Sequence, residues 1–303
     1  MSSVTMFQRH TIADAFTRIG DEPTTKALDA AQKTIGTDAW KAGFSAEKAK
    51  IVRSALKECG ASFETALPGR LEDVNHVQTH AGGSTFDKLR VTLARENGDK
   101  IILSGDMRSE FSQRLLAKLD AAVQQGKTSQ VTIGGFAEPV SRDGKSFVNH
   151  VATLKDSQGQ EIKAAPGHFS KAAEHGQAAV DALERAGIRN PKLVKESRNA
   201  ARDEYFTKLA CEIHARLSKD RKIEPIEKLG QVTGRFVSAS ESTPERSHVV
   251  IRRAGVDLTV DMPRQALSEN IEPGTPLRVR YNQKDGCSVE VGQSQSRGKG
   301  LGV

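Results

Sequence analysis

The sequence predicts an α+β chain: N-terminal helices, two duplicated βββα units, a basic linker helix and a small C-terminal β-barrel. Three observations predict it. Apolar residues recur three and four positions apart in 1–66 and in 189–228. They alternate at period two in much of 67–188 and in 229–291. Finally, residues 83–126 match 144–187, 61 positions on, without gaps. The match has 11 identities in 44 positions, where unrelated sequences of this composition give about 3.

The N-terminal helical region is assigned to residues 1–66. Ile12, Phe16 and Ile19 have helical spacing. Asp21-Glu22-Pro23 reads as a helix start, with acid and proline in the first turn, and Leu28, Ala31 and Ile35 continue one face up to Gly36. Ser45 opens another helix, carrying Ile51, Ala55 and Leu56 to the stop at Gly60.

The first βββα unit is 67–127 and the second 128–188. In the first, Leu89, Val91 and Leu93 share a strand face, and Asn97-Gly98 turns the chain into Ile101 and Leu103. A helix follows from Ser109 to Gln125, with Phe111, Leu115, Leu119 and Ala122 on one face. The identities shared with the second unit fall at turn glycines (Gly98 and Gly159), strand residues (Leu93 and Leu154) and helix ends (Gly126 and Gly187). The pattern allows one continuous sheet or two tandem domains. Residues 189–228 form the linker helix, with Phe206, Leu209, Ala210, Ile213 and Leu217 as its apolar stripe. Residues 229–291 carry five short strands, with turns at Pro273-Gly274 and Asp285-Gly286, which suggests a small barrel. Residues 292–303 are Gly/Ser-rich and basic and read as a disordered tail.

Composition narrows the function classes. The 303 residues carry 45 Lys+Arg against 38 Asp+Glu, a net charge of +7. The excess is local: residues 189–228 hold 11 basic and 7 acidic side chains, while 71–129 are neutral. Such an excess suits phosphate partners. No apolar run approaches the ~18 residues that cross a bilayer, and the N-terminus lacks a signal-peptide core, so the expected location is cytoplasmic and no membrane partner is expected. Cys59, Cys211 and Cys287 form no CxxC pair, which fits reduced cysteines in an intracellular protein.

Within the C-terminal module, the run GQVTGRFVSASESTPERSHVVIRRAGVDLTVDMPRQAL is followed by EPGTPLRVRYNQKDGCSVEV. Its glycine-bearing first strand, Leu267, the Pro-Gly turn and the L-x-V-x-Y strand closed by a Gly hairpin resemble the KfrB-type domain of conjugative-plasmid accessory proteins. The resemblance covers about a fifth of the chain. It implies a plasmid or other mobile-element protein linked to DNA transfer or to countering host functions, and it carries no catalytic residues.

Period two places Arg278 and Arg280 together on the outward barrel face, with Arg235 and Arg252 on neighbouring strands. Small barrels present nucleic acid to such a face, with arginines on phosphates. Lys219, Arg221, Lys222, Arg297 and Lys299 extend the candidate nucleic-acid contacts around the linker and tail. The alternative for each of these charges is a solvated exterior. No GxSxG, HExxH, Walker A or dinucleotide fingerprint occurs, so no catalytic residue and no cofactor is expected. His150, His168 and His175, or Cys211 with His214, lack the second pair a zinc site needs, and no metal is expected. The leading expectation is a non-enzymatic protein of a mobile element that binds DNA or RNA through the basic helix and barrel. The alternative is a module that captures or inhibits a host or DNA-transfer protein.

Overall fold

The computed structural model describes residues 3–81, 83–142, 145–218, 223–253, 256–268 and 271–292. Among them the chain is mixed α/β, with two open sheets and more residues in strands than in helices. This corrects the expected fold class in three places.

The first correction is at the N-terminus, which begins with strands. β1 (Val4–His10) and β2 (Ala15–Arg18) form a hairpin. Its turn holds Asp14 at a φ of 50°, and Asp14 is ion-paired with Arg9. Ala15, Phe16 and Thr17 are buried in succession, because this short strand is covered on both faces. That continuous burial hides the period-two signal, and the Ile12/Phe16/Ile19 spacing mimics a helix. Helices follow as α1 (Glu22–Ile35), α2 (Thr37–Lys41) and α3 (Ala46–Glu58). Asp21 caps α1 by accepting from the Thr24 N–H, and Ser45 caps α3 by accepting from that of Lys48. α1 and α3 pack through Ala27, Ala31, Val52 and Leu56.

Next come β3 (Phe63–Glu64), β4 (Ala66–Ala81), β5 (Ser84–Ala94), β6 (Lys100–Asp106) and α4 (Glu110–Gln124), then β7 (Val131–Arg142), β8 (Lys145–Lys155) and α5 (His168–Arg185). The first sheet has the order β3-β2-β1-β6-β5-β4-β7-β8. β1 and β6 run parallel and the other neighbours antiparallel. The strands of 67–127 and of 128–188 therefore share one sheet, joined by Ala66–Gly69 of β4 against Val131–Gly134 of β7.

The second correction lies here. The second stretch is ββα, because its third strand shrinks to a single Lys155–Glu161 bridge. Pro166 stands where the first stretch has Gly105. Proline has no N–H to give a ladder, which bars the far end of a matching strand. α4 and α6 (Pro191–Ser218) bury Phe111, Leu115, Leu119, Phe206, Leu209 and Ile213 against Leu71, Val74, Leu89, Val91 and Leu103 of the sheet. Each such side chain contributes about 1.5–3 kcal/mol by burial.

The third correction is the C-terminal module, an open sheet and not a barrel. β9 (Ile223–Pro225), α7 (Ile226–Leu229), β10 (Gln231–Glu241), β11 (Arg246–Arg253), β12 (Val256–Pro263), β13 (Pro276–Asn282) and β14 (Gly286–Val291) give the strand order β14-β13-β10-β11-β12-β9. β9 adds in parallel beside β12, so β9 and β14 end as separate edges instead of pairing to close the sheet. One core of Val232, Phe236, Val249, Ile251, Val260, Leu277 and Val279 lies under Ile226 of α7. β10 passes so close to β11 that a Cβ on Gly234 would collide with the Arg252 carbonyl.

Candidate functional site

The strand register decides which arginines share a face. In antiparallel pairs, directly opposed residues point the same way. Arg235 lies opposite Arg252 across β10 and β11, Thr233 opposite Arg278, and Gln231 opposite Arg280. Buried Val232, Leu277 and Val279 alternate with these residues, so all four arginines project from the face opposite the module's core. Arg278 and Arg280 are exposed, and each reaches Glu290 across the β13–β14 pair, at 3.6 and 3.2 Å. Arg235 is exposed and donates to the Gly274 carbonyl at 2.9 Å.

Arg252 differs. It is 8% exposed, because the β5–β6 hairpin of the first sheet covers it. It donates to Asp257 at 3.0 Å and to the Gly98 carbonyl at 3.0 Å. Burial draws its pKa down from the ordinary arginine value. Beside it, the buried Lys100 ammonium binds both Glu72 of the first sheet and Asp257 of the second. Burial alone would raise the Glu72 pKa, but Lys100 and Arg70 outweigh it and the net direction is down. Lys219, Arg221, Lys222, Arg297 and Lys299 lie outside the described residues.

A second junction forms where β4 parts from β7. Beyond Gly69, β4 meets α6 and β10 instead. The Asp73 carboxylate accepts from the Val74 N–H at 3.0 Å, Asn75 at 2.9 Å and Ser238 at 3.2 Å. It also lies 2.7 Å from Nδ1 of His214, whose Nε2 is 2.7 Å from the Ser240 hydroxyl and 3.3 Å from that of Ser218. Carboxylate, imidazole and hydroxyl stand in the order that activates a serine nucleophile. Here, however, the imidazole is shared between two hydroxyls, and the carboxylate is held by groups from three elements. The arrangement locks α6, β4 and β10 together.

A cleft of about 1,020 Å³ opens beside this lock, between the distal half of β4, α6 and the C-terminal sheet. Arg90 of β5 lines it, at 8% exposed. So do Asn75, His80, His248, Arg264 and Glu272.

His168 sits between Asp120 (3.0 Å) and the Tyr205 hydroxyl (2.9 Å), and His214 is occupied as described. Among the described residues no group of three or more metal-ligating side chains converges. No described helix is long and apolar enough to cross a membrane.

Sequence reasoning missed Asp73 and Arg90, and it weighed His214 only as a metal ligand beside Cys211. Asp73 and His214 are 141 positions apart, so no local pattern connects them. One signal was present: apolar Leu71 and Val74 break period two by one residue. The strand does bulge between Leu71 and Asp73, which turns the carboxylate out of alternation.

No family model matches the chain, and no curated protein matches it. Among solved structures it is similar to a murine DNA-binding protein bound with double-stranded DNA, at 12% identity and a TM-score of 0.18, over 76% of this chain and 99% of that one. A second is the Ifi202 HINa domain in complex with 20-bp double-stranded DNA, at 9% identity and a TM-score of 0.16, over 76% and 91%. Scores of this size correspond to no shared fold.

Proposed function

We propose that the chain is a binding protein, not an enzyme, that contacts nucleic-acid phosphates through the outer face of its C-terminal sheet. The observation that carries this reading is the register of β10 and β13. It sets Arg235, Arg278 and Arg280 on one exposed face, with Thr233 and Gln231 between them. Guanidinium groups at strand spacing suit a backbone of repeating phosphates. Lys219, Arg221, Lys222, Arg297 and Lys299 would add to the same positive field. The likeness of this module to KfrB-type plasmid domains is the ground for assigning it to a mobile element.

The test is fluorescence anisotropy of the intact protein with labelled single- and double-stranded DNA and RNA across a salt series. Binding should weaken steeply with salt, with a slope near −0.9 per phosphate contacted on duplex DNA. Charge reversal by Arg278→Glu and Arg280→Glu should lower affinity by at least about tenfold at 0.1 M salt. Absence of binding at all but the lowest salt rejects the proposal.

A second reading has its own observation. On the outer face of the β7–β8 hairpin, Phe136 (45% exposed) and Phe147 (51% exposed) share a side with Val140 and Val151. An exposed aromatic pair on an edge hairpin favours capture of a protein partner. Under that reading, Phe136→Ser and Phe147→Ser abolish partner recovery, and the arginine reversals leave it intact.

A further inference from the structure

The cleft beside the Asp73–His214 lock holds polar groups that the fold leaves unsatisfied. Arg90 is 8% exposed, yet its guanidinium forms no hydrogen bond or ion pair among the described residues, and its Nε is buried without an acceptor. Exposed Glu272 acts on it through space and makes no ion pair with it. Directly opposite Arg90 in the β4–β5 register stands Asn75, 2% exposed. Its amide donates to Asp73, while its carbonyl oxygen is buried with no donor. A buried cation without a directly paired counter-charge is costly, and each unmade hydrogen bond adds to that. Such groups persist where a ligand completes them.

We propose that this cleft binds a small phosphate monoester whose phosphate meets Arg90 and whose organic body donates a hydrogen bond to Asn75. Each part of the assignment has a cause. Ser247, Ser268 and a second arginine, Arg264, line the same cleft as Arg90. Two guanidinium groups on one cleft suit a phosphate ester, with its two negative charges and several acceptor oxygens, better than a single carboxylate. A volume of about 1,020 Å³ exceeds what phosphate alone fills and admits a sugar or nucleoside body. The orphaned carbonyl of Asn75 calls for a donor, which a sugar hydroxyl supplies. The site is separate from the arginine face, so it stands or falls independently of nucleic-acid binding.

The experiment is isothermal titration calorimetry and thermal unfolding of the full chain with three probes: ribose 5-phosphate, AMP and citrate. Both phosphate esters should bind and raise Tm in proportion to the logarithm of their concentration, with citrate at least about tenfold weaker. Arg90→Met should remove the binding without lowering the Tm of the unliganded protein, because it deletes an uncompensated buried charge. Arg278→Glu with Arg280→Glu should leave it unchanged. Glu272→Gln, an exposed change, should tighten binding a few-fold by removing the opposing charge, which keeps a readout should Arg90→Met fail to fold. No heat or Tm change up to about 10 mM of either ester, citrate binding equal to the esters, undiminished binding by Arg90→Met, or unchanged or weaker binding by Glu272→Gln would each overturn the assignment.

Discussion

Arg235 and Arg252 face each other across β10 and β11, on the same side of one sheet, and do different work. Arg235 stands in solvent and touches only a neighbouring turn carbonyl. Arg252 lies under the first sheet and is spent on Asp257 and the Gly98 carbonyl. The half of the sheet around β11 and β12 is thus welded to the rest of the molecule, while the half around β13 and β14 is left open. The lesson is that the type and register of a charged residue place it on a face, and what covers that face decides whether it serves structure or recognition.

The comparison is broken hardest at Lys100. Lys100→Ala removes the buried cation shared by part-buried Glu72 and Asp257, which retain Arg70 and Arg252, so it should cost about 3 kcal/mol in urea unfolding. A loss under about 1 kcal/mol would mean the charge cluster does not weld the two sheets. Next is His214→Ala, which removes one of the groups that hold the buried Asp73 carboxylate and should cost about 1–3 kcal/mol. Because His214 is held as a lock, a fluorophosphonate reagent should leave Ser240 unlabelled in the intact protein. Stoichiometric labelling there would turn the lock into a nucleophile relay.

The welded half also has a pH signature. The folded pKa of Glu72 is lowered from its ordinary 4.5. A depressed carboxylate binds fewer protons folded than unfolded, so its contribution is complete above about 4.5 and is lost as pH falls through the folded value. Unfolding free energy should therefore drop on acidification below about 4.5, and Glu72→Gln should flatten that part of the profile. An unchanged slope in the variant counts against the Lys100–Glu72 contact.

What the sequence shows and hides follows the same division. Local signals were legible: the acid-proline start of α1 at Asp21, the serine start of α4 at Ser109, and the Asn97-Gly98 turn, where Gly98 takes a φ of 81°. The alternation at Leu277, Val279, Arg278 and Arg280 assigned inward and outward faces. Closure of the C-terminal sheet was not legible, because it depends on where β9 docks, and three residues carry no register of their own. Nor was the fate of Arg252, since the surface that buries it comes from residues about 150 positions earlier in the chain, at Gly98. Asp73, Arg90 and the partner of His214 were invisible for the same reason. Their chemistry exists only after two sheets and a helix meet.

The smallest stability effect belongs to the open half, and it sharpens the comparison most. Arg278 and Arg280 share a single carboxylate, Glu290, at 3.6 and 3.2 Å, with their side chains nearly half exposed. Exposed pairs of this kind contribute about 0–1 kcal/mol and are screened by salt. Arg278→Ala and Arg280→Ala should each shift unfolding free energy by no more than about 0.5 kcal/mol. The same substitutions should weaken DNA or RNA binding and reduce its salt slope by about one unit each. Arg252→Ala should do the reverse, lowering stability by about 1–2 kcal/mol through the lost hydrogen bonds to Asp257 and the Gly98 carbonyl while leaving the salt slope unchanged. If instead Arg252→Ala changed the slope and Arg278→Ala the stability, burial would have failed as the criterion that separates the two arginine sets.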